Sequence, residues 1–192
     1  MKKISFLLLL AVAVSASAQQ AGKFNKIVKK VKGDLNKDGK EDLVTITQDE
    51  AGKEGTYKLD IYFAQPDGKM KLIVSSTKAI EPGKTAAIDG KELGDVTITN
   101  GVLSIYEQLL RGNYTHKFRY QNGNFELIGY TDILSDGQGQ MTTIDFNLST
   151  GTRIELVERY DTDKVISKQS KKVMIRPLPR LQDFEPYQND QY

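Results

Sequence analysis

The chain has 192 residues with 27 Lys+Arg against 25 Asp+Glu, no cysteine and no tryptophan. The missing cysteine excludes disulfides, a cysteine nucleophile and, with a single histidine, a zinc site built from His and Cys. The near balance of charge argues against a nucleic-acid binder, which would carry a basic excess or stripe.

The first eighteen residues read as an export signal. Met1-Lys2-Lys3 is basic, Ile4 to Val14 is apolar, and Ala16-Ser17-Ala18 places small residues before a cleavage point at Gln19. The apolar run is too short to cross a hydrocarbon core about 30 Å thick. The mature chain of 174 residues is therefore expected to be periplasmic or secreted, without membrane insertion after cleavage. Losing Lys2 and Lys3 leaves 25 basic against 25 acidic residues. This length suits one domain, 19–175, that buries its own core without disulfide staples.

Residues 19–26 read as a loose leader, with no periodicity in Gln19-Gln20-Ala21-Gly22. Phe24, Ile27, Val28 and Val31 alternate with lysines in a pattern that fits a strand or one to two turns of helix. An acidic loop, 34–43, follows and runs straight into Leu43-Val44-Thr45-Ile46-Thr47, rich in β-branched residues. Residues 49–55 form a polar turn. Tyr57, Leu59, Ile61 and Phe63 share one face of the next strand, Pro66-Asp67-Gly68-Lys69 turns, and Met70 to Ser75 returns. Residues 76–92, with Pro82-Gly83 and Asp89-Gly90, read as a long loop.

From there the pattern is strand and tight turn. Val96-Thr97-Ile98 and Val102 to Tyr106 flank Asn100-Gly101, a strong hairpin signal. Tyr114, His116, Phe118 and Tyr120 line one face of a strand, 121–124 turns, and Phe125 to Tyr130 goes back. Asp136 to Gly139 turns into a strand whose Ile144, Phe146 and Leu148 share a face. Ser149-Thr150-Gly151 leads to Ile154–Tyr160, and Thr162-Asp163 to Val165–Val173. The expected fold is all-β, a single domain with little helix, an antiparallel meander forming a sandwich, barrel or propeller-like sheet. Residues 176–192 carry three prolines and many polar groups. They read as an extended or disordered C-terminal tail, or as a strap or partner-recognition peptide.

The acidic loop is the one stretch whose spacing points to a definite chemistry. Counted from Asp34, oxygen-bearing side chains stand at positions 1, 3, 5 and 9: Asp34, Asn36, Asp38 and Asp42. Position 7, Lys40, would supply its carbonyl, and Gly39 permits a sharp turn. Calcium takes six to eight such oxygens, and short loops supply them from alternating residues. Position 12 is Thr45 rather than the bidentate glutamate of an EF-hand, and a strand rather than a helix follows. Asp, Asn and Gly also favour ordinary turns, so a plain polar turn is the alternative.

This DxNxDGxxD stretch, Asp34 to Leu43, resembles the calcium loop of FG-GAP/VCBS-type repeats in extracellular proteins. Residues 118–130 and 145–151 are similar to segments of uncharacterised secreted bacterial β-proteins that carry such a loop near the N-terminus. The resemblance implies an exported β-domain with a structural calcium ion and no established activity. One copy of the loop is present, so it does not imply a full propeller.

No catalytic constellation stands out. His116 sits among aromatic residues at strand spacing, which reads as a core histidine, and no Gly-x-Ser-x-Gly elbow or phosphate-binding glycine loop is present. The function expected is a non-enzymatic binding or interaction module for an envelope or extracellular partner. The alternative is an envelope- or glycan-directed hydrolase using strand carboxylates, with Glu107, Glu126, Asp145, Glu155 and Glu158 as candidates. Alternation makes outward-pointing acids the default on a one-sided sheet.

Overall fold

A computed structural model describes residues 23–49, 56–81 and 93–192. The export signal, residues 19–22 of the leader, most of the 49–55 turn, and the Pro82-Gly83 and Asp89-Gly90 turns lie outside the described residues; the end of the leader, from Phe24, is not loose but belongs to the first strand, which pairs with the second. The rest is all-β, with eleven strands and no helix. β1 (Phe24–Gly33), β2 (Asp42–Asp49), β3 (Tyr57–Ala64) and β4 (Met70–Ser76) form one antiparallel meander in that order. β5 (Asp95–Thr99), β6 (Val102–Leu109), β7 (Gly112–Gln121), β8 (Asn124–Ser135), β9 (Gln140–Asn147), β10 (Thr152–Arg159) and β11 (Val165–Lys172) form a second, in the same sequential order. The ambiguous segment at residues 24–31 is thus a strand, and the sheets remain open rather than closing into a barrel.

Turn chemistry sets the meander. Asn100-Gly101 and Asn122-Gly123 each place two successive residues at positive φ, 52° and 74°, then 52° and 76°. Such turns match the right-handed twist of the strands they join.

One core joins the two sheets. Val44, Ile46, Leu59 and Ile61 supply it from the first, and Leu103, Ile105, Phe118 and Leu127 from the second. Across the junction the Phe63 ring meets Tyr120 edge-on at 4.9 Å and Phe125 at 5.9 Å. A β-carbon on Gly33 would stand 2.6 Å from the Ile98 side chain, so β1 passes close against β5.

Two irregularities position the rest of the inner face. In β8 the register with β7 slips between Lys117↔Gly129 and Phe118↔Leu127, so Ile128 is extra. A bulge of this kind inverts the side-chain alternation. Phe125 and Leu127 point inward before it, and Tyr130 and Asp132 after it. In addition, β9 pairs with β8 only over Gly129–Ser135, leaving the first residues of β8 without a strand on that side.

The C-terminal segment occupies that vacant edge. Leu127 N donates to Pro179 O (2.8 Å) and Leu181 N donates to Phe125 O (2.9 Å). Arg176 fixes the approach, donating from Nη1 to Leu148 O (3.0 Å) and from Nη2 to Ser149 O (2.8 Å). The segment pairs with β8 at Arg180, continues through a series of turns, and is docked rather than loose. Leu181 and Phe184 are buried, and Phe184 packs against His116 and Phe118 with centroids at 4.7 and 5.1 Å. It acts as a strap across the inner face of the second sheet.

Candidate functional site

The acidic loop connects β1 to β2 and is folded by its own side chains. Lys37 (φ 64°) and Gly39 (φ 82°) take left-handed conformations that double the chain back. Asp34 accepts from Asp38 N at Oδ1 (3.2 Å) and from Gly39 N at Oδ2 (2.8 Å). Asn36 Oδ1 also accepts from Asp38 N (3.0 Å), and Asp38 Oδ1 accepts from Lys40 N (2.9 Å). These side-chain-to-backbone bonds are what Asp and Asn offer a tight turn.

Asp42 has a different place. It is fully buried, and its two oxygens take the amides of Leu35 (2.9 Å) and Ala64 (3.0 Å). It therefore ties the start of the loop to the end of β3. Leu35 drops into the core beside it. A β-carbon on Gly101 would stand 3.5 Å from Asp34 O, so the loop also touches the β5–β6 turn and lies at the junction of the two sheets.

The donor set fits calcium in chemistry. Asp34, Asn36, Asp38, Asp42 and the Lys40 carbonyl are all hard oxygens. Each carboxylate oxygen just described accepts one hydrogen bond and keeps a further lone pair. Among the described residues, no three Asp, Glu, His or Cys side chains stand together as a cation cage. Asp34, Asn36 and Asp38 organise the turn, and Asp42 anchors it.

A second constellation lies on the inner face of the larger sheet, and strand pairing builds it. One row runs Val96, Ile105, His116, Tyr130, Phe146, Arg153 through successive cross-strand partners. The next runs Glu107, Tyr114, Asp132, Ile144, Glu155. The two rows together set a belt of polar groups beneath the strap. Glu107 and His116 are each 2 % exposed, Arg153 8 % and Asp132 9 %.

Burial dominates the electrostatics of this belt. It pushes the Glu107 carboxyl up to about 7, against the Gly94 amide at Oε2 (3.3 Å), which favours the charged form, while Glu81 adds to the rise. Burial drives His116 down to about 3. It also raises Asp132, although the Tyr130 hydroxyl and the Arg153 charge pull the other way. Within the belt, five buried atoms find no hydrogen-bond partner: Glu107 Oε1, Tyr114 Oη, His116 Nε2, Asp132 Oδ1 and Arg153 Nε. Such orphans are uncommon in a folded interior and call for a physical reason.

His116 is the core histidine that its aromatic neighbours imply. It stacks on Tyr130 at 4.9 Å and meets Tyr114 edge-on at 5.1 Å. Among the five strand acids, Glu107 breaks the outward default. It shares the inward parity of Leu103 and Ile105, a signal already present in the sequence. Glu155 takes the inward parity too, in the row with Ile144, whereas Glu126, Asp145 and Glu158 take the opposite parity. Asp132 and Arg153 escape a reading by alternation. The Ile128 bulge turns Asp132 inward, and the apolar residues of β10, Ile154 and Leu156, fall on the face opposite Arg153.

No family model, curated protein or solved structure matches this chain.

Proposed function

We propose that the protein is an exported, non-enzymatic binding module, periplasmic or secreted, in which a structural calcium ion secures the junction of the two sheets. The observation that supports the ion most is the loop itself. Side-chain oxygens at positions 1, 3, 5 and 9 come from Asp34, Asn36, Asp38 and Asp42, and the turn they shape sits where both sheets meet. When bound, calcium would supply charge neutralisation to the carboxylates of Asp34, Asp38 and Asp42 and stiffen the loop. Asp34, Asn36, Asp38, the Lys40 carbonyl and Asp42 would hold it. The basic groups nearby, Lys40 at 3.9 Å from Asp38 and Lys32 at 3.7 Å from Glu41, are exposed pairs that water screens. The partner expected is an envelope or extracellular molecule, and the ion's role is to hold the domain rather than to react.

The test is thermal unfolding with calcium and with EDTA. An ion that binds only the folded state adds about 4 kcal/mol at a thousandfold excess over its Kd. Calcium should raise the melting temperature of the wild type, and Asp38→Ala should abolish that rise. A melting temperature indifferent to calcium in both proteins overturns the assignment.

A further inference from the structure

A recess of about 210 Å³ opens where the strap meets the polar belt. The sheet contributes Tyr130, Asp132 and Arg153 to it, and the strap contributes Tyr187, Asn189 and Tyr192. Two of the sheet residues carry orphan atoms, Asp132 Oδ1 and Arg153 Nε. One is an acceptor without a donor, the other a donor without an acceptor. Leaving both unmade is costly, and a group that donates and accepts at once would relieve both. Both atoms are shut off from solvent, so a ligand reaches them only as the Asp132 carboxylate and the Arg153 guanidinium turn toward the recess about their terminal torsions.

We propose that this recess binds the ring of a neutral sugar, as a free monosaccharide or as the end residue of a glycan. Charge selects against ionic ligands. An anion would face Asp132 and Asp190, and a cation would face Arg153. Arg153 is itself held by Glu155, to which Nη1 donates at 3.0 Å, so its orientation is set before any ligand arrives. Adjacent hydroxyls of a sugar supply a donor to Asp132 and an acceptor to Arg153 together. Tyr187 and Tyr192 offer rings against which the C–H face of a pyranose can lie, each with a polar hydroxyl at its edge. The volume falls below the 300–1,000 Å³ usual for drug-sized ligands, which suits one ring rather than a chain. The inference rests on the reading of the protein as a binding module and is independent of the calcium loop.

The experiment titrates the folded protein, followed by NMR, with neutral hexoses, pentoses and N-acetylhexosamines. A hexuronate and a free hexosamine serve as charged counterparts. At least one neutral sugar should shift the resonances of Tyr130 and Tyr187. Asp132→Asn and Arg153→Gln should each weaken it by roughly tenfold or more, as the loss of a buried hydrogen bond to a charged group implies. Tyr187 is 54 % exposed, so Tyr187→Ala tests the same recess even if a floor variant folds poorly. Asp38→Ala should leave sugar binding unchanged. The proposal is overturned if no neutral sugar shifts these resonances, if only a charged probe does, or if affinity survives all three recess variants. A lost sugar response with the calcium-dependent melting shift intact removes the recess alone, and the reverse result removes the loop alone.

Discussion

Glu107 and His116 face the same buried belt with opposite consequences for pH. Burial lifts Glu107 from 4.5 to about 7. Between those values the folded protein keeps a proton that the unfolded chain has released. Its contribution to stability therefore falls as pH rises through that window and is level above about 7, a total of about 3 kcal/mol at most. For His116 the sign reverses. The folded state stays neutral down to about 3 while the unfolded chain protonates near 6.5. Its contribution grows as pH rises from about 3 and is complete above about 6.5. The two effects oppose each other in the shared interval, so single variants are needed to separate them. Glu107→Gln keeps an acceptor for Gly94 N and should flatten the decline between pH 4.5 and about 7. His116→Phe removes both the titrating site and the orphan Nε2 from an aromatic cluster, and should make the acid limb shallower. Urea midpoints measured from about pH 3 to about pH 8 decide it. Variants that track the wild type across that range would contradict both assignments.

Among the elements, the strap is irregular and still supplies buried side chains to the core. Phe184 is 2 % exposed and touches three rings, those of His116, Phe118 and Tyr192. Truncating it should leave a cavity in the core, so Phe184→Ala is expected to cost about 3–5 kcal/mol. Asp183→Ala, one residue away on the exposed side, should stay within about 0.5 kcal/mol of wild type. Chemical denaturation of both variants provides the comparison, and equal midpoints would mean that the strap is not part of the core. Ten of the eleven strands are readable because alternation and Gly-containing turns are local signals, as at Tyr57–Phe63 and Asn100-Gly101, whereas β1 fits a strand or a short helix equally. The strap is not readable, because its apolar residues Leu181 and Phe184 are spaced among prolines and polar residues with no period. Their burial depends on the vacant edge of β8, a feature of the whole sheet. The site divides in the same way. The turn at Asp34–Asp42 is encoded by contiguous residues and could be seen. The belt is assembled from β6 to β10, and its Asp132 is turned inward by an extra residue that alternation alone does not reveal.

Over the whole molecule, the shared core predicts that two sheets unfold as one. The chain crosses between them once among its strands, after β4, yet their inner faces are continuous through Phe63, Tyr120 and Phe125. The loop adds a second tie, because Leu35 enters that core while the turn around it touches Gly101 of the other sheet. Neither sheet can leave without exposing apolar surface on the other, which is the condition for a cooperative transition. Leu59→Ala in the smaller sheet and Leu103→Ala in the larger should each cost about 2–5 kcal/mol. Both side chains are fully buried, so the losses are comparable in origin. In each variant, far-ultraviolet dichroism and tyrosine fluorescence should report one coincident curve displaced to lower denaturant. A curve that splits after Leu59→Ala, with the larger sheet melting at its wild-type midpoint, would show two independent folding units. Because the loop stands at the junction, calcium should move that single curve bodily. An effect confined to part of the transition would place the ion on one sheet alone.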